Sequence, residues 1–166
     1  MINKNKGMLL ESIINKTINF YQMNKIAYIE KKNLNITFKK LVTNANNVIT
    51  VKDGIISSKS TVDYIGCYKG RFIAFEAKTT NQNTLPNANI KIHQIDYLKK
   101  IADNGGLAFF IVYFENQNKF FMIDIYDFLN KNKTPLCYEE VQNIGKEIEI
   151  EYPGMINFIQ FLDIKN

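Results

Sequence analysis

The stretch from Ser60 to Lys78 constrains the fold more than any other part of the chain. It is rich in aromatic and β-branched residues on both sides of Lys69 and Gly70, which predicts two short strands joined by a tight turn. Counting outward from a two-residue turn at that position places Asp63 directly opposite Glu76. The sequence therefore predicts a hairpin that carries one carboxylate on each strand.

Two carboxylates and one ammonium meet on one face of this predicted hairpin. Side chains alternate along a strand, so Lys78 shares the face of Glu76, and the same count places Thr61 opposite Lys78. Charges inside an otherwise apolar strand are costly unless they are paired or bind a metal. Two carboxylates can hold Mg²⁺, and an ammonium can orient a water or offset charge on a phosphate. The pattern favours metal-dependent phosphodiester cleavage, and exposed charges on an ordinary strand are the alternative.

The composition indicates a folded protein in a reducing compartment. At 166 residues, 46% of them hydrophobic, the chain is long enough for one domain over residues 1–166 with a substantial core. Cys67 and Cys137 are too few and too far apart for a zinc motif or a disulfide framework. We find no signal peptide and no apolar run that could span a membrane, so we expect a soluble cytoplasmic protein without a membrane partner. The net charge of +5 agrees with a polyanionic partner.

Apolar periodicity predicts the main helices and strands. Residues at helical spacing predict helices over Met8–Met23 and Ile92–Asp103, and a final amphipathic run predicts a short helix over Met155–Ile164. The nearly continuous apolar run Leu107–Phe114 predicts a strand covered on both faces, with the alternating segment Lys119–Ile125 as its pairing partner. These elements predict an α/β fold with a mixed sheet between helices.

Shorter segments complete the predicted order of elements. Ala27–Glu30 and residues 148–152 are predicted to be extended, and Ile125–Leu129 is predicted to form a helical turn. Thr79–Ile90 and Asn130–Pro135 are polar and contain proline, so both are predicted to be loops.

The segment before the hairpin is basic and irregular. A turn signal at Asn44–Asn47 separates two half-apolar stretches, each too short and too basic to form a core of its own. This pattern predicts a protruding β-ribbon, inserted at about residues 34–59, that carries lysines on its surface. A solvated hairpin without a partner is the alternative.

The hairpin resembles a known nuclease signature. Asp63 followed by Glu76-Ala77-Lys78 is similar to the PD-(D/E)xK motif, with Val62 in place of its proline. The whole stretch from Ser60 to Lys78 resembles the RecU-type Holliday junction resolvases of low-GC Gram-positive bacteria. Further motifs of that family follow in the same order along nearly the whole chain: Gly7-Met8-Leu9-Leu10-Glu11, Lys31-Lys32, His93-Gln94-Ile95, and Tyr152-Pro153 followed by Ile156-Asn157-Phe158-Ile159.

The resemblance implies a fold and an activity. The implied fold is a restriction-endonuclease-like core, with a mixed central sheet flanked by helices and a protruding basic β stalk that enters the open centre of a DNA junction. The implied activity is that of a homodimeric endonuclease, dependent on Mg²⁺ with Mn²⁺ as a substitute, that nicks four-way junctions symmetrically in recombination and repair. A strand-exchange recombinase is a further implied partner.

The resemblance also assigns roles to individual residues. The implied catalytic residues are Asp63, Glu76, Lys78, Glu11 and Gln94, and the implied metal ligands are Thr61, Asp63, Glu76 and Gln94. The residues implied to contact DNA are Lys6, Lys31, Lys32, Lys39, Lys40, Lys52, Lys59 and Arg71. The family usually has arginine where this chain has Lys6, and lysine lacks the bidentate fork of arginine. The N-terminal arm of longer members is almost absent, from which we expect weaker DNA binding.

Two other functions remain open from the sequence. One is another nuclease of the same superfamily that acts on ordinary duplex, flaps or tRNA, although duplex cleavage does not need a stalk. The other is a junction-binding module that has lost catalysis, although Asp63, Glu76 and Lys78 are all intact.

Overall fold

The computed structural model describes residues 7–33, 35–43, 46–47, 49–58, 61–131 and 135–162. Its helices are α1 (Met8–Met23), α2 (Ile92–Asp103), α3 (Ile125–Asn130) and α4 (Tyr138–Ile144). Its strands are β1 (Tyr28–Lys31), β2 (Asn35–Thr43), β3 (Ile49–Ser58), β4 (Tyr64–Tyr68), β5 (Arg71–Thr80), β6 (Thr84–Leu85), β7 (Leu107–Phe114), β8 (Lys119–Asp124), β9 (Leu136–Cys137), β10 (Lys146–Ile148), β11 (Ile150–Glu151) and β12 (Met155–Ile156). Two short 3₁₀ turns cover Asn87–Asn89 and Phe158–Phe161.

A mixed six-stranded sheet lies at the centre of the fold, in the order β1-β4-β5-β7-β8-β10. Only the β5–β7 pair in this sheet is parallel, and α2 lies in the connection between those two strands. A parallel pair needs such a crossover, whereas antiparallel neighbours can be joined by short turns. The predicted α/β fold with a mixed sheet is therefore confirmed.

Apolar side chains cover both faces of the sheet. Strand β7 is buried along its whole length, and alternate residues of it enter two separate cores. One core packs the sheet against α1 and the C-terminal segment, and the other packs it against α2, α3 and α4. A strand that is buried on both faces has a nearly continuous apolar sequence, so the prediction that this segment is covered on both faces is confirmed.

Helix α1 has the predicted bounds because its apolar residues repeat at helical spacing. The buried side chains of this helix are Leu10, Ile13, Ile14, Thr17, Ile18 and Tyr21. The hydroxyl of Thr17 donates to the Ile13 carbonyl at 2.9 Å and accepts from the Ile156 N–H at 3.0 Å. This buried threonine therefore connects α1 to β12.

The β4–β5 hairpin turns at Lys69 and Gly70, as predicted. Their φ angles are +47° and +78°, and a two-residue turn with both residues in the left-handed region matches the twist of the strands that it joins. Tyr68 pairs with Arg71 next to the turn. The hydrogen-bonded ladder ends with Tyr64 opposite Phe75; this pairing confirms the predicted register.

The basic segment forms the predicted ribbon. Strands β2 and β3 pair in antiparallel fashion in a two-stranded sheet of their own, with a register shift between Asn35 and Ile36. Part of the predicted turn at Asn44–Asn47 lies outside the described residues, and Asn47 takes a positive φ of 58°.

Several predicted boundaries were wrong. The first strand begins one residue later than Ala27, and the predicted loop Thr79–Ile90 contains the end of β5 and the short strand β6, which pairs with β9. The predicted loop Asn130–Pro135 begins with the last residue of α3, and residues 132–134 lie outside the described part of the chain. Helix α4 was not predicted, and the predicted extended segment at residues 148–152 contains all of β11 but only the last residue of β10.

The predicted C-terminal helix Met155–Ile164 was also wrong over residues 155–162, and its last two residues lie outside the described part of the chain. Its first two residues form β12, which pairs with β11, and a 3₁₀ turn follows at Phe158–Phe161. Ile156, Phe158 and Ile159 are buried against α1 and the sheet. Pairing with a neighbouring strand therefore outweighs the helical periodicity of this short segment.

Candidate active site

Glu76 lies near the middle of β5, where its side chain is only 2% exposed. Its Oε1 accepts hydrogen bonds from Lys78 Nζ at 2.7 Å and from Gln94 Nε2 at 2.5 Å. Its Oε2 accepts from the backbone N–H of Asp63 at 3.0 Å. Three donors from the hairpin and from one helix therefore converge on one buried carboxylate.

Asp63 lies one residue beyond the end of the β4–β5 ladder. Its Oδ2 accepts a hydrogen bond from the backbone N–H of Ala77 at 3.1 Å. Since its own N–H donates to Glu76, the two sides of the hairpin are bridged reciprocally by backbone and side chain. The prediction that Asp63 faces Glu76 across the hairpin is confirmed.

The polar end of α2 completes the cluster. Gln94 is buried in the first turn of that helix, where its Oε1 accepts from Lys78 Nζ and from the backbone N–H of Lys91, each at 3.2 Å. The Lys78 side chain is 13% exposed. The amide of Gln94 thus holds the ammonium of Lys78 and the carboxylate of Glu76 while it caps its own helix.

The environment of Glu76 favours its protonated form in the absence of a cation. Burial, reinforced by the negative charge of Asp63, raises the pKa of Glu76 from 4.5 to about 7, and the ammonium of Lys78 acts in the opposite direction. One lysine therefore does not fully compensate the negative charge of this pair. A bound divalent cation would supply the missing positive charge.

The donor chemistry of the cluster fits a hard divalent cation. Asp63 and Glu76 present carboxylate oxygens, and Gln94 presents an amide oxygen. Among the residues that the structure describes, no group of three or more His, Cys, Asp or Glu side chains is placed to hold a metal. The chain would therefore supply two carboxylates, and water and phosphate oxygens would complete the coordination shell.

Thr61 does not lie opposite Lys78 in the strand ladder, which ends before it at Tyr64. Its hydroxyl instead accepts a hydrogen bond from Lys32 Nζ at 2.6 Å. The same ammonium lies 5.5 Å from the ring centroid of Tyr97 on α2. Sequence reasoning missed Tyr97, although its spacing of three residues from Gln94 places both on one side of the helix.

Glu11 lies outside the hydrogen bonds of the cluster that the structure describes. It pairs with Lys31 at 2.6 Å, and the side chains of both residues are more than two-fifths exposed. Nearby, the buried Tyr64 donates to Asn15 at 3.2 Å, and burial together with the charges of Glu11 and Asp63 raises the pKa of its phenol. Helix α1 therefore contacts the hairpin next to Asp63 without entering the cluster.

The predicted DNA-contacting residues lie in three regions. Arg71 begins β5 beside the hairpin turn, away from Glu76, and its guanidinium donates to the carbonyls of Gly105 at 2.8 Å and Gly106 at 3.3 Å. Lys31 and Lys32 precede the ribbon, next to the cluster. Lys39, Lys40 and Lys52 lie on β2 and β3, where Lys40 pairs with Lys52, and Lys6 and Lys59 lie outside the described residues.

Helices that could cross a membrane are not found in the described part of the chain, since none there is both long and apolar enough.

A solved structure shares the fold. Hjc, a Holliday junction resolvase from Archaeoglobus fulgidus, superposes with a TM-score of 0.50 at 11% sequence identity. The match covers 82% of this chain and 94% of that chain. The core is therefore restriction-endonuclease-like, as expected from the sequence.

Curated relatives are similar over nearly the whole chain. Holliday junction resolvase RecU of Mycoplasmopsis pulmonis is 38% identical, over 98% of this chain and 96% of the relative. The protein of the same name from Ureaplasma parvum is 36% identical, over 98% and 95% respectively. That of Bacillus cereus is 33% identical, over 96% and 84%. The family model described as Recombination protein U matches residues 5–164. The chain therefore belongs to the RecU family.

Proposed function

We propose that this protein is an endonuclease that resolves four-way (Holliday) DNA junctions in recombination and repair. The observation that carries the proposal is the buried cluster in which Asp63, Glu76, Lys78 and Gln94 converge at the end of one hairpin. Such a cluster suits phosphodiester hydrolysis, and relatives similar over nearly the full chain are named Holliday junction resolvases.

A resolvase nuclease family implies a divalent metal ion, and we propose Mg²⁺, with Mn²⁺ as a substitute. Asp63 and Glu76 would hold the ion, with Gln94 and Thr61 as further oxygen donors beside them. Held there, the ion would supply activation of a water and stabilisation of the leaving oxygen of the phosphodiester. The carboxylate oxygens suit this ion because it prefers hard oxygen ligands and keeps several waters.

Lys78 is proposed to act on the attacking water and on the phosphate. Its ammonium is held by the carboxylate of Glu76 and the amide of Gln94, so its position is fixed before substrate binds. A positive charge placed there orients the water and offsets the negative charge that develops on the phosphorus-bound oxygens. Glu11 would act from the border of the site, where it pairs with Lys31.

The ribbon is proposed to be a stalk that enters the open centre of the junction. Lys40 and Lys52 are backbone partners across its two strands, so the sequence brings two basic residues to the same level of the ribbon. Basic residues gathered in this way suit contact with DNA phosphates. The other proposed phosphate contacts are Lys6, Lys31, Lys39, Lys59 and Arg71.

The proposal extends to assembly and location. Residues 1–166 would form a single nuclease domain with the stalk inserted at about residues 34–59. Two copies would form a homodimer, because a two-fold protein suits paired cuts in a junction of near two-fold symmetry. A strand-exchange recombinase as partner and a cytoplasmic location remain predictions of the sequence.

Cleavage of defined substrates tests the proposal. Purified protein is incubated with Mg²⁺ and a labelled four-way junction, duplex or single strand, beside an Asp63→Asn variant. Paired nicks in the junction alone, absent from the variant, are the expected result. Equal cutting of the duplex would instead indicate a nuclease without junction selectivity. Tight junction binding without any cutting would indicate an inactive binding module.

A further inference from the structure

Lys32 connects the two ends of the ribbon. It lies just before β2, and Thr61 lies just after β3. The hydrogen bond of 2.6 Å from Lys32 Nζ to Thr61 Oγ1 therefore joins the chain where it enters the ribbon to the chain where it leaves.

The backbone of Lys32 also fixes Asp63. Its N–H donates to the carbonyl of Asp63 at 2.7 Å, next to the last pair of the β1–β4 ladder, Lys31 with Tyr64. Asp63 is therefore held on both sides: its carbonyl accepts from the end of β1 and its side chain accepts from β5 through Ala77.

The side chain of Lys32 reaches the helix that carries Gln94. Its ammonium lies 5.5 Å from the ring centroid of Tyr97, a distance at which a cation is attracted to the face of an aromatic ring. Tyr97 is about one helical turn from Gln94. Lys32, Thr61 and Tyr97 are all half-buried, so the ammonium is partly removed from water and engaged by two protein groups.

We infer that Lys32 is a positioning residue, which joins the base of the ribbon to Asp63 and to α2, rather than a phosphate contact. This inference rests on the proposed metal site and deepens it. An ordered ribbon base would keep the Asp63 carboxylate and the Gln94 amide in register for the cation. Groups that orient metal ligands in this way contribute strongly to affinity.

Metal binding without DNA separates the two roles. For Lys32→Met, which removes the ammonium and keeps most of the stem, we expect the dissociation constant for Mn²⁺, measured by EPR on the DNA-free protein, to rise about tenfold. Junction binding in EDTA should keep the salt dependence of the wild type. An unchanged Mn²⁺ affinity, with a salt slope shallower by about one, would overturn the inference and make Lys32 a phosphate contact.

Matched variants control for charge and for folding. Lys99→Met removes an exposed lysine of α2 that pairs with Asp103 at 2.6 Å, and it should leave both readouts unchanged. Tyr97→Leu removes the ring that the Lys32 ammonium faces and should weaken Mn²⁺ binding in the same direction. The double variant with Lys32→Met should add little to either single change, because both remove one interaction. Additive effects would contradict the inference.

Two further results keep this test separate from the proposed function. If Lys32→Met unfolds, Lys32→Gln and Tyr97→Leu decide the question with the same Mn²⁺ measurement. If the wild-type protein binds Mn²⁺ but cuts no junction, the proposed function fails. The comparison of Mn²⁺ affinities still decides the role of Lys32 in that case.

Discussion

The rings of Tyr64 and Phe75 stack face to face, with their centroids 4.7 Å apart and their planes 9° from parallel. They form the last pair of the β4–β5 ladder, so the next residue outward on each side of the hairpin is one of the two clustered carboxylates. Phe109 continues the stack at 5.0 Å, and Phe158 packs against it at an angle. An apolar stack on one face of the sheet thus fixes the register of the polar cluster on the other.

Removal of a ring from this stack should lower the stability of the whole fold. For Phe75→Ala, a fully buried ring is removed, and we expect the free energy of unfolding to fall by about 3 to 5 kcal/mol in urea titrations. Phe72→Ala on the same strand is the matched control, because that ring is 41% exposed. The control should cost about 1 kcal/mol or less. Equal destabilisation of the two variants would show that the stacked ring contributes no more to the free energy of unfolding than the partly exposed ring.

The protonation of Glu76 should make stability depend on pH. Burial and Asp63 raise its pKa in the folded protein to about 7, above the value of 4.5 for a free carboxyl. The folded state therefore binds this proton more tightly than the unfolded state, and the associated stability is present below pH 4.5 and is lost as the pH rises to about 7. In EDTA, Glu76→Gln should therefore gain stability over the wild type across that range, on the order of 3 kcal/mol by pH 8.

Urea titrations of both proteins between pH 4 and pH 8 would measure this difference. A difference that does not change with pH would show that Glu76 titrates normally. Divalent cation should reduce the advantage of Glu76→Gln at pH 8, because the ion binds the carboxylate and the amide lacks its charge.

Removal of the Lys78 ammonium should slow cleavage without weakening substrate binding. For Lys78→Met we expect a decrease in the single-turnover rate on the junction of about 10²- to 10⁴-fold, as for the removal of a group that handles protons. The dissociation constant for the junction should stay within about threefold, since a single charge supplies a small part of the electrostatic attraction to DNA.

Lys119→Met is the control for that variant. Lys119 is a partly exposed lysine that pairs with Glu147 on the sheet, and its replacement should change neither quantity. A rate for Lys78→Met close to that of the wild type would remove Lys78 from the chemistry.

The paired lysines of the ribbon should contribute measurably to the salt dependence of junction binding. The double change Lys40→Gln and Lys52→Gln should lower the slope of log affinity against log salt by about two, at roughly 0.9 for each phosphate that is no longer neutralised. Electrophoretic mobility shifts at several salt concentrations measure the slope. Lys100 is an exposed lysine of α2, so Lys100→Gln removes the same kind of charge and should leave the slope unchanged. A slope unaffected by the double change would place these lysines away from DNA.

The sequence predicted the parts of the fold that local chemistry determines. The turn at Lys69 and Gly70 fixes a register by itself, and from that register the contact between Asp63 and Glu76 follows by counting. The bounds of α1 and α2 agree with their apolar periodicity. These predictions needed no knowledge of distant segments.

Long-range packing explains what the sequence did not predict. The helix predicted from Met155 was wrong because the pairing of this segment with β11 is not visible in its own periodicity. The hydrogen bond between Lys32 and Thr61 was not predicted, because the ladder that the count relied on ends at Tyr64 and the bond joins segments far apart in the sequence. The roles of Gln94 came from resemblance, and Tyr97 was missed, because the position of α2 over the sheet depends on tertiary contacts.

The side chain of Gln94 takes part both in the cap of helix α2 and in the polar cluster. It accepts from the backbone N–H of Lys91 at the start of α2, and it donates to Glu76 inside the cluster. Fraying of the first helical turn would therefore remove the amide from both the Glu76 carboxylate and the Lys78 ammonium in the same event. The local opening equilibrium of that single turn would therefore be coupled to the geometry of the cluster, and amide hydrogen exchange at the start of α2 would report that opening directly.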